Sequence, residues 1–579
     1  MHTLLKEIPA NTDPLGPSNK LIFALGLLTG HKIIGSGRCS VGAKSPLTGA
    51  CGEAEAGGMW GVELRRAGYD GIVIEGRAEK PVYLWIHDDR VELRDAGKIW
   101  GAEVGVASAW FQNDIGQKKY RTALIGPSGE KMVRFANIMA DCSHAFGRCG
   151  LGAVMGSKNL KGVVVKGSQR PTAADNEQIL ALNRIMKGRY KSTPFVPYGT
   201  GAAVDAFEAV GNLPIRNYSG GKFPNVDKIS AVTLMEQYGV AMEGCFNCPI
   251  RCKKKIKLTD APWPVDTIYG GPEYETLAAF GSNLLIDDLP AICKAHEICN
   301  RYGIDTISTG ATVAFAMECF EKGLLSPEDV GGLQLNFGNA PAMVELVEQI
   351  ARRQGFGDIL AQGSKKAAEI IGRNSIEYAM QIKGLEIPFH EPRLNQGLSI
   401  HYSIHAIGPD HVSGLIDNVL VGQLDNWDRI DRAEELPPTE LSSRKTRMEY
   451  ELGLYRGLFN YLGICAFMPW KITDLRAAVE AVAGWPVTSW KLIKAVKRGI
   501  TLMRIFNLRE GFSHADDRLP ERFHAARAEG PLKDVRVDPD DHQEAKELYY
   551  QMMGWNSAGV PTRACLVALD IEWAAEFLM

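Results

Sequence analysis

Up to about residue 167, apolar residues come in short runs closed by Gly, Pro or Asp: KLIFALG, GIVIEG, PVYLWI, RVELRD, TALIG and GVVVKG. Runs of this length and composition predict strands joined by glycine loops. From about Asp175 the spacing changes. NEQILALNRIMKGRY, AVTLMEQYGV, LPAICKAHEICNRYG, TGATVAFAMECFEKG and APAMVELVEQIARRQG carry apolar residues at i, i+3, i+4 and i+7, the period of a helix. Several stop at Gly, a common helix terminator. The helical period returns in SRKTRMEYELGLYRGLFNYLG and SWKLIKAVKRGITLMRIFNL, and the polar NWDRIDRAEELPPTELSSRK between them reads as a surface loop with a helix start. The pattern predicts an α+β chain: a β-rich domain over 1–167, then two mainly helical domains over 168–378 and 379–579.

Length agrees with more than one domain, since 579 residues exceed what a single core holds. A net charge of -3 gives no general attraction to nucleic acid or to an anionic membrane. The early apolar run LIFALGLL is too short to span a bilayer. The opening residues lack the basic and apolar regions of a secretory leader. Twelve cysteines, one triplet and scattered singles, do not form a secreted disulfide pattern, so a reducing cytoplasm is expected. The 61 glycines exceed the usual share of roughly 7% and point to tight loops or backbone packed close to a ligand.

The triplet is Cys245, Cys248 and Cys252, in GCFNCPIRCKKK. Its C-x2-C-x3-C spacing suits zinc or an iron–sulfur cluster, and both need a fourth ligand. No second C-x2-C pair follows. Cys293, Cys299 and Cys319 lie in helical patterns and read as core. Cys465, in NYLGICAF after a glycine break, and Cys565 remain candidates.

Longer stretches carry more. GSGRCSVGAKSPLTGACGEAEAGGMWGVELRRAGYDGIVIEGRAEKPVYLWI, FGRCGLGAVMGSKNLKGVVVKG, GCFNCPIRC, GPEYETLAAFGSNL, GIDTISTGATVAFAMECFEKG, KGLEIPFHEPR, GPDHVSG and YYQMMGWNSAGVPT, in this order, resemble the tungsten-containing aldehyde:ferredoxin oxidoreductase family over nearly the whole chain. The resemblance implies a β-rich cofactor-binding domain followed by two helical ones. It implies a tungsten (or molybdenum) bis-pterin, or molybdopterin, centre and a [4Fe-4S] cluster. The implied reaction takes a small aldehyde and water to a carboxylic acid and passes electrons to ferredoxin or to small iron–sulfur or flavin subunits. A homo-oligomer is left open.

Residue by residue, the resemblance puts cluster ligands at Cys245, Cys248 and Cys252 and makes Cys465 the fourth. It sets Arg38 between a pterin and the cluster. The loops Ala56–Gly57–Gly58 and Arg148–Gly150–Gly152 would bring backbone N–H groups to the pterins. Asp305, with Thr309 and Gly310 in the same loop, would meet one pterin ring, and Asn460 and Ile464 the other. Without the resemblance, Asp305 reads as a helix cap and Arg38 as a surface residue. Glu275 and His411 match the family's acid–base pair, with Glu273 beside Glu275. A carboxyl in a dry pocket is expected to have a raised pKa, and a neutral imidazole can hydrogen-bond a carbonyl oxygen.

Four departures qualify the match. Asn460 stands where the family usually has Asp and lacks its charge. Glu55 replaces an Asn near the magnesium that bridges the pterin phosphates, and a carboxylate can ligate Mg2+ directly. Only MHTLLKEIPANT precedes the segment that follows the family's opening strand pair, which points to an upstream start codon. CKAHE at 293–297 lacks the Glu-x-x-His pair that holds an intersubunit metal in some members. The rival readings are a tungstopterin reductase subunit of the aromatic acyl-CoA type, and an electron-transfer or scaffold subunit without tungstopterin. The first of these would carry Cys where GPEYET stands.

Overall fold

In the computed structural model, residues 1–116, 119–190, 195–259, 262–414, 416–419 and 435–578 are described. The chain opens with the helix His2–Glu7. Leu4, Leu5 and Ile8 are buried, and the Arg509 guanidinium donates to the Leu5 carbonyl at 2.8 Å.

Ten strands follow before residue 167: β1 Leu21–Leu25, β2 Cys39–Lys44, β3 Cys51–Ala56, β4 Gly71–Ile74, β5 Val82–His87, β6 Arg90–Asp95, β7 Arg121–Leu124, β8 Ile138–Ala140, β9 His144–Phe146 and β10 Leu160–Lys166. All six expected runs are strands. They form two sheets, ordered β3-β2-β1-β4 and β6-β5-β10-β7-β8-β9. The first is antiparallel throughout, with Cys39 opposite Ala56 and Leu21 opposite Ile74. In the second, β5 and β10 run parallel. β10 is buried from Leu160 to Val165, its Lys161 paired with Glu130, as a strand covered on both faces requires.

The predicted helices are present as Asn176–Arg189, Ala231–Tyr238, Leu289–Tyr302, Thr306–Glu321, Ala340–Arg352, Ser443–Leu462 and Ser489–Arg509. Side chains of Asp175, Asp288, Asp305, Asn339, Ser442 and Thr488 cap their N-termini, satisfying amides that lack an intrahelical partner. The expected polar loop falls largely on residues outside the described set; 435–442 are described and lead into the helix Ser443–Leu462.

The hydrophobic cores do not follow the sequence divisions. One joins Phe23, Val41, Trp60 and Val163 of the sheets to Ile400, Phe506, Tyr550 and Trp555 of the last third. Another joins Phe135 and Ala153 to Leu277, Phe315 and Leu398. A third packs Ile33 and Ile34 against Met186, Phe459 and Trp470, with Cys248, Cys252 and Cys465 at its margin. The 293–297 stretch is folded inward: Cys293, His296 and Glu297 are buried, and Glu297 pairs with Lys294 at 2.8 Å.

Candidate active site and cluster centre

Cys245, Cys248 and Cys252 occupy the connection between β11, Gly239–Glu243, and β12, Lys253–Ile256. Cys465 follows the helix Ser443–Leu462, which stops at Gly463 in the left-handed region at φ +73. Loops from the first domain lash these segments together. The Gly35 amide donates to the Asn247 carbonyl at 3.1 Å, and the Cys465 amide donates back to Gly35 at 2.9 Å. Arg38 donates to Gly463 at 3.2 Å, and Phe246 to Gly58 at 3.2 Å.

The four thiols act on one another electrostatically. Cys465 feels Cys248 and Cys245, and Cys252 feels Cys465 and Cys245. Burial pushes the Cys465 thiol up to about 12, and burial with the neighbouring negative groups raises Cys252 further. Thiolates here need a metal's charge beside them. The other eight cysteines are buried, as expected of core residues.

Glu275 stands in the first turn of the helix Tyr274–Phe280, and His411 enters from a loop 136 positions on. Their Oε1···Nε2 separation is 3.7 Å. His390 Nε2 approaches the same Oε1 at 3.3 Å and acts on it as a hydrogen-bond donor. Oε2 accepts from the Phe389 amide at 2.9 Å. Burial alone would raise the Glu275 carboxyl, but His411, His390 and the Phe389 amide outweigh it and bring it down to about 2. The expected raised pKa is therefore corrected: neighbouring donors, not dryness, set the charge of Glu275. His411 is moved downward by burial, against the pull of Glu275.

Among the groups that act on this pair, Arg148 Nε and Tyr402 OH have no hydrogen-bond partner, and neither has His411 Nδ1 itself. Buried polar groups are rarely left so, and this set fits a ligand rich in heteroatoms.

Two family models match the chain. “Aldehyde ferredoxin oxidoreductase, N-terminal domain” matches residues 1–167, and “Aldehyde ferredoxin oxidoreductase, domains 2 & 3” matches 180–571. The tungsten-containing aldehyde ferredoxin oxidoreductase of Pyrococcus furiosus is 37% identical over 588 residues, covering 100% of this chain and 94% of its own. The chain belongs to the aldehyde ferredoxin oxidoreductase family. It is an oxidoreductase of the α+β type that the patterning predicts.

The relative of the same name from Thermococcus kodakarensis is also 37% identical, over 591 residues, with 100% of this chain and 94% of the relative covered. The aliphatic sulfonate oxidoreductase WOR-like subunit of Pyrococcus furiosus is 31% identical, with coverage of 96% and 89%. Among solved structures, the active site complex BamBC of benzoyl coenzyme A reductase in complex with 1,5-dienoyl-CoA superposes with a TM-score of 0.85 at 27% identity. That superposition covers 99% of this chain and 92% of the other.

Several site residues expected from the family resemblance have other duties. Glu273 is not brought to the Glu275–His411 pair. It accepts from Lys253 at 3.0 Å and from the Thr200 hydroxyl, with Lys254 at 3.4 Å, and so ties its helix to β12. Asp305 caps the helix Thr306–Glu321 through the Ile307 and Ser308 amides, both at 3.1 Å, and lies 3.6 Å from Arg148 Nε. Arg148 also donates to the carbonyls of Pro409 and Glu386. The Thr309 hydroxyl donates to the Asp305 carbonyl at 2.6 Å within its own helix. A Cβ at Gly310 would press on Ala279, and Cβ atoms at Gly150 and Gly152 would strike the Arg134 and Asn137 carbonyls, so these glycines serve protein packing. Ala56 is buried at the end of β3. A Cβ at Gly57 would meet Cys245 Sγ at 2.6 Å, and one at Gly58, φ +97, would meet the His144 ring, so that loop lies against the cluster segment. Asn460 accepts from the Gly463 amide at the helix end, and Ile464 is fully buried.

Arg38 pairs with Glu55 at 2.8 Å and feels Cys465 and Cys245. Glu55 has both oxygens engaged, by Arg38 and by the Ser40 hydroxyl at 3.3 Å; a magnesium ion there would compete with the guanidinium. Four residues escaped sequence reading. Glu53 shares the β3 face with Glu55 and is pushed up to about 7 by burial, Glu55 and Asp410. Asp410 and His390 lie within GPDHVSG and KGLEIPFHEPR, so the signal was present. His144 Nε2 sits 3.7 Å from Cys245 Sγ, and no motif marks it.

Proposed function

We propose that this chain oxidises an aldehyde to its carboxylic acid, with water supplying the added oxygen, at a tungsten (or molybdenum) bis-pterin centre. Two electrons leave through a [4Fe-4S] cluster to ferredoxin or to a small iron–sulfur or flavin carrier. The balance is aldehyde plus water giving acid, two protons and two electrons. The supporting observation is a Glu275–His411 pair with the unpaired groups of Arg148 and Tyr402 acting on it, in a chain whose Cys245, Cys248, Cys252 and Cys465 thiols act on one another.

When bound, the metal centre would supply the two-electron acceptor and a Lewis-acid site. Arg148 and Tyr402 offer unpaired groups that would help hold the pterins, and Arg38 would join that cradle to the cluster. Cys245, Cys248, Cys252 and Cys465 would hold the iron. Glu275, an anion throughout the neutral range, orients water and accepts its proton on Oε1. His411, facing the same oxygen, takes that proton onward or hydrogen-bonds the carbonyl oxygen of the substrate. Twelve free thiols suit a reducing cytoplasm, and no described helix is long and apolar enough to cross a membrane.

The BamBC likeness favours a second reading, a reductase of aromatic acyl-CoA. Its discriminating feature is residue 275, a glutamate here. The test is tungsten, molybdenum and iron analysis of anaerobically purified protein, followed by dye-linked assays with an aldehyde panel and with an aromatic acyl-CoA. Tungsten or molybdenum with about four irons and aldehyde turnover supports the proposal. Iron alone, or acyl-CoA chemistry without aldehyde turnover, ends it. Glu275→Gln is expected to lower aldehyde oxidation by 100-fold or more, at the lower end of general-base contributions of roughly 10²–10⁴.

A further inference from the structure

The oxygen of Glu275 that faces His411 also faces a second imidazole, whose protonation the surrounding hydrogen bonds decide. His390 is buried in the segment after β-turn residues Lys383–Gly384, stacked on Tyr274 at 4.9 Å and met edge-on by Phe207 at 5.7 Å. Its Nδ1 lies 3.0 Å from Asn212 Nδ2. Which end of the Asn212 amide points there is set by unambiguous neighbours. Asn212 Oδ1 accepts from the Glu391 backbone amide at 3.1 Å and from Asn395 Nδ2 at 2.6 Å. Asn395 is itself fixed, since its Oδ1 accepts from the Asn418 amide at 3.0 Å and its Nδ2 donates to the Glu391 carbonyl at 3.1 Å. Asn212 therefore presents N–H to His390, Nδ1 must accept, and the neutral ring carries its proton on Nε2.

We propose that His390 is a positioning residue for Glu275: Asn212 fixes the imidazole proton on Nε2, and that N–H keeps the Glu275 carboxylate an anion turned toward His411. A direction follows. His390 already holds a proton where it faces Oε1, so it cannot take another from it there. A proton that Glu275 accepts leaves by His411. The inference rests on the reading of Glu275 as the acid–base group.

Other groups facing Glu275 do not duplicate this role. Tyr218 donates to the Ile387 and Pro388 carbonyls, and Tyr274 donates to Phe389 at 2.6 Å. Tyr402 feels Glu275 and has an unpaired hydroxyl, and burial keeps it in the phenol form. Asp410 and Arg148 act on His411.

The test uses metal-loaded enzyme with His390→Leu, His390→Gln and Asn212→Leu. Two readouts are followed: the pH profile of kcat/KM for an aldehyde, and an infrared pH titration of the carboxylic C=O band that Glu275→Gln removes. Losing a donor to a charged group is expected to raise the acid limb and the infrared midpoint of His390→Leu by about 1–2 pH units. His390→Gln, whose amide can accept from Asn212 and donate to Glu275, is expected to return both to the wild-type position. An unmoved limb and band in His390→Leu, or a Gln variant shifted as far as the Leu variant, overturns the proposal. If His390→Leu fails to fold, Asn212→Leu decides: it keeps the ring and frees the tautomer, an upward shift supports the role, and no shift overturns it. Wild-type turnover by Glu275→Gln would instead sink the acid–base reading, while the infrared midpoint would still report what His390 does.

Discussion

His144 shows how much one side chain can set at a cluster. Its Nε2 lies 3.7 Å from Cys245 Sγ, and burial, helped by Lys253, pushes its pKa down to about 3. It stays neutral through the whole working range and can serve a cluster sulfur only as a neutral donor. Hydrogen bonds to cluster sulfurs raise the reduction potential. His144→Phe is therefore expected to lower the midpoint by roughly 20–60 mV, the equivalent of one neutral hydrogen bond for a single electron. EPR-monitored redox titrations of the wild type and the variant measure that difference. The same scale shows what sequence reading could reach. The cysteine set was legible from spacing and resemblance. Glu275 and His411 were legible only through resemblance, since nothing local joins residues so far apart. The charge state of Glu275 was misjudged because burial is readable from composition, whereas the Phe389 amide and two imidazoles that oppose it arrive by folding.

At the scale of elements, the hairpin of β11 and β12 is fastened to the active-site helix through one carboxylate. Burial alone would raise the Glu273 pKa, but Lys253, Lys254 and the Thr200 hydroxyl hold it well below the usual carboxylate range. A depressed folded-state pKa adds stability above the unfolded value of about 4.5, and that stability is lost as pH falls below it. Glu273→Gln leaves the buried Lys254 ammonium without its counter-charge and is expected to cost about 3 kcal/mol at pH 7. Denaturant midpoints should show the gap narrowing as pH falls below about 4.5, where the unfolded chain's carboxyl binds a proton that the folded one does not. Element reading from sequence succeeded where periodicity was strong: the seven long helical patterns and six apolar runs all stand. It missed β2 and β3, because CSVGAK and CGEAEA bury small residues and alternate them with Gly and Glu. It missed β12 because KKKI looks like a charge run, although Lys254 and Ile256 point inward. It credited Gly150, Gly152 and Gly310 to a ligand, since a glycine does not announce whose backbone comes close.

For the whole molecule, the cores bridge all three stretches into which the patterning divides the chain. The cluster segment is where they meet: the Gly35–Arg38 loop, the β11–β12 connection and the end of the helix Ser443–Leu462 hydrogen-bond to one another around the thiols. A cluster bound there favours the folded state as any ligand specific to it does. Cys465→Ser is expected to abolish the cubane EPR signal and to lower the unfolding temperature by roughly 5 °C or more. Limited proteolysis should then cut first within residues 239–256. A variant that kept four irons and its melting temperature would remove Cys465 from the ligand set.

That three-way junction also dictates a timetable. The ribosome delivers the Gly35 loop early, the triplet midway and Cys465 only when most of the polypeptide has emerged, so no nascent fragment owns a complete iron site. Metal insertion must then wait until Cys465 has emerged and docked, and retained iron reports that the three distant segments have met.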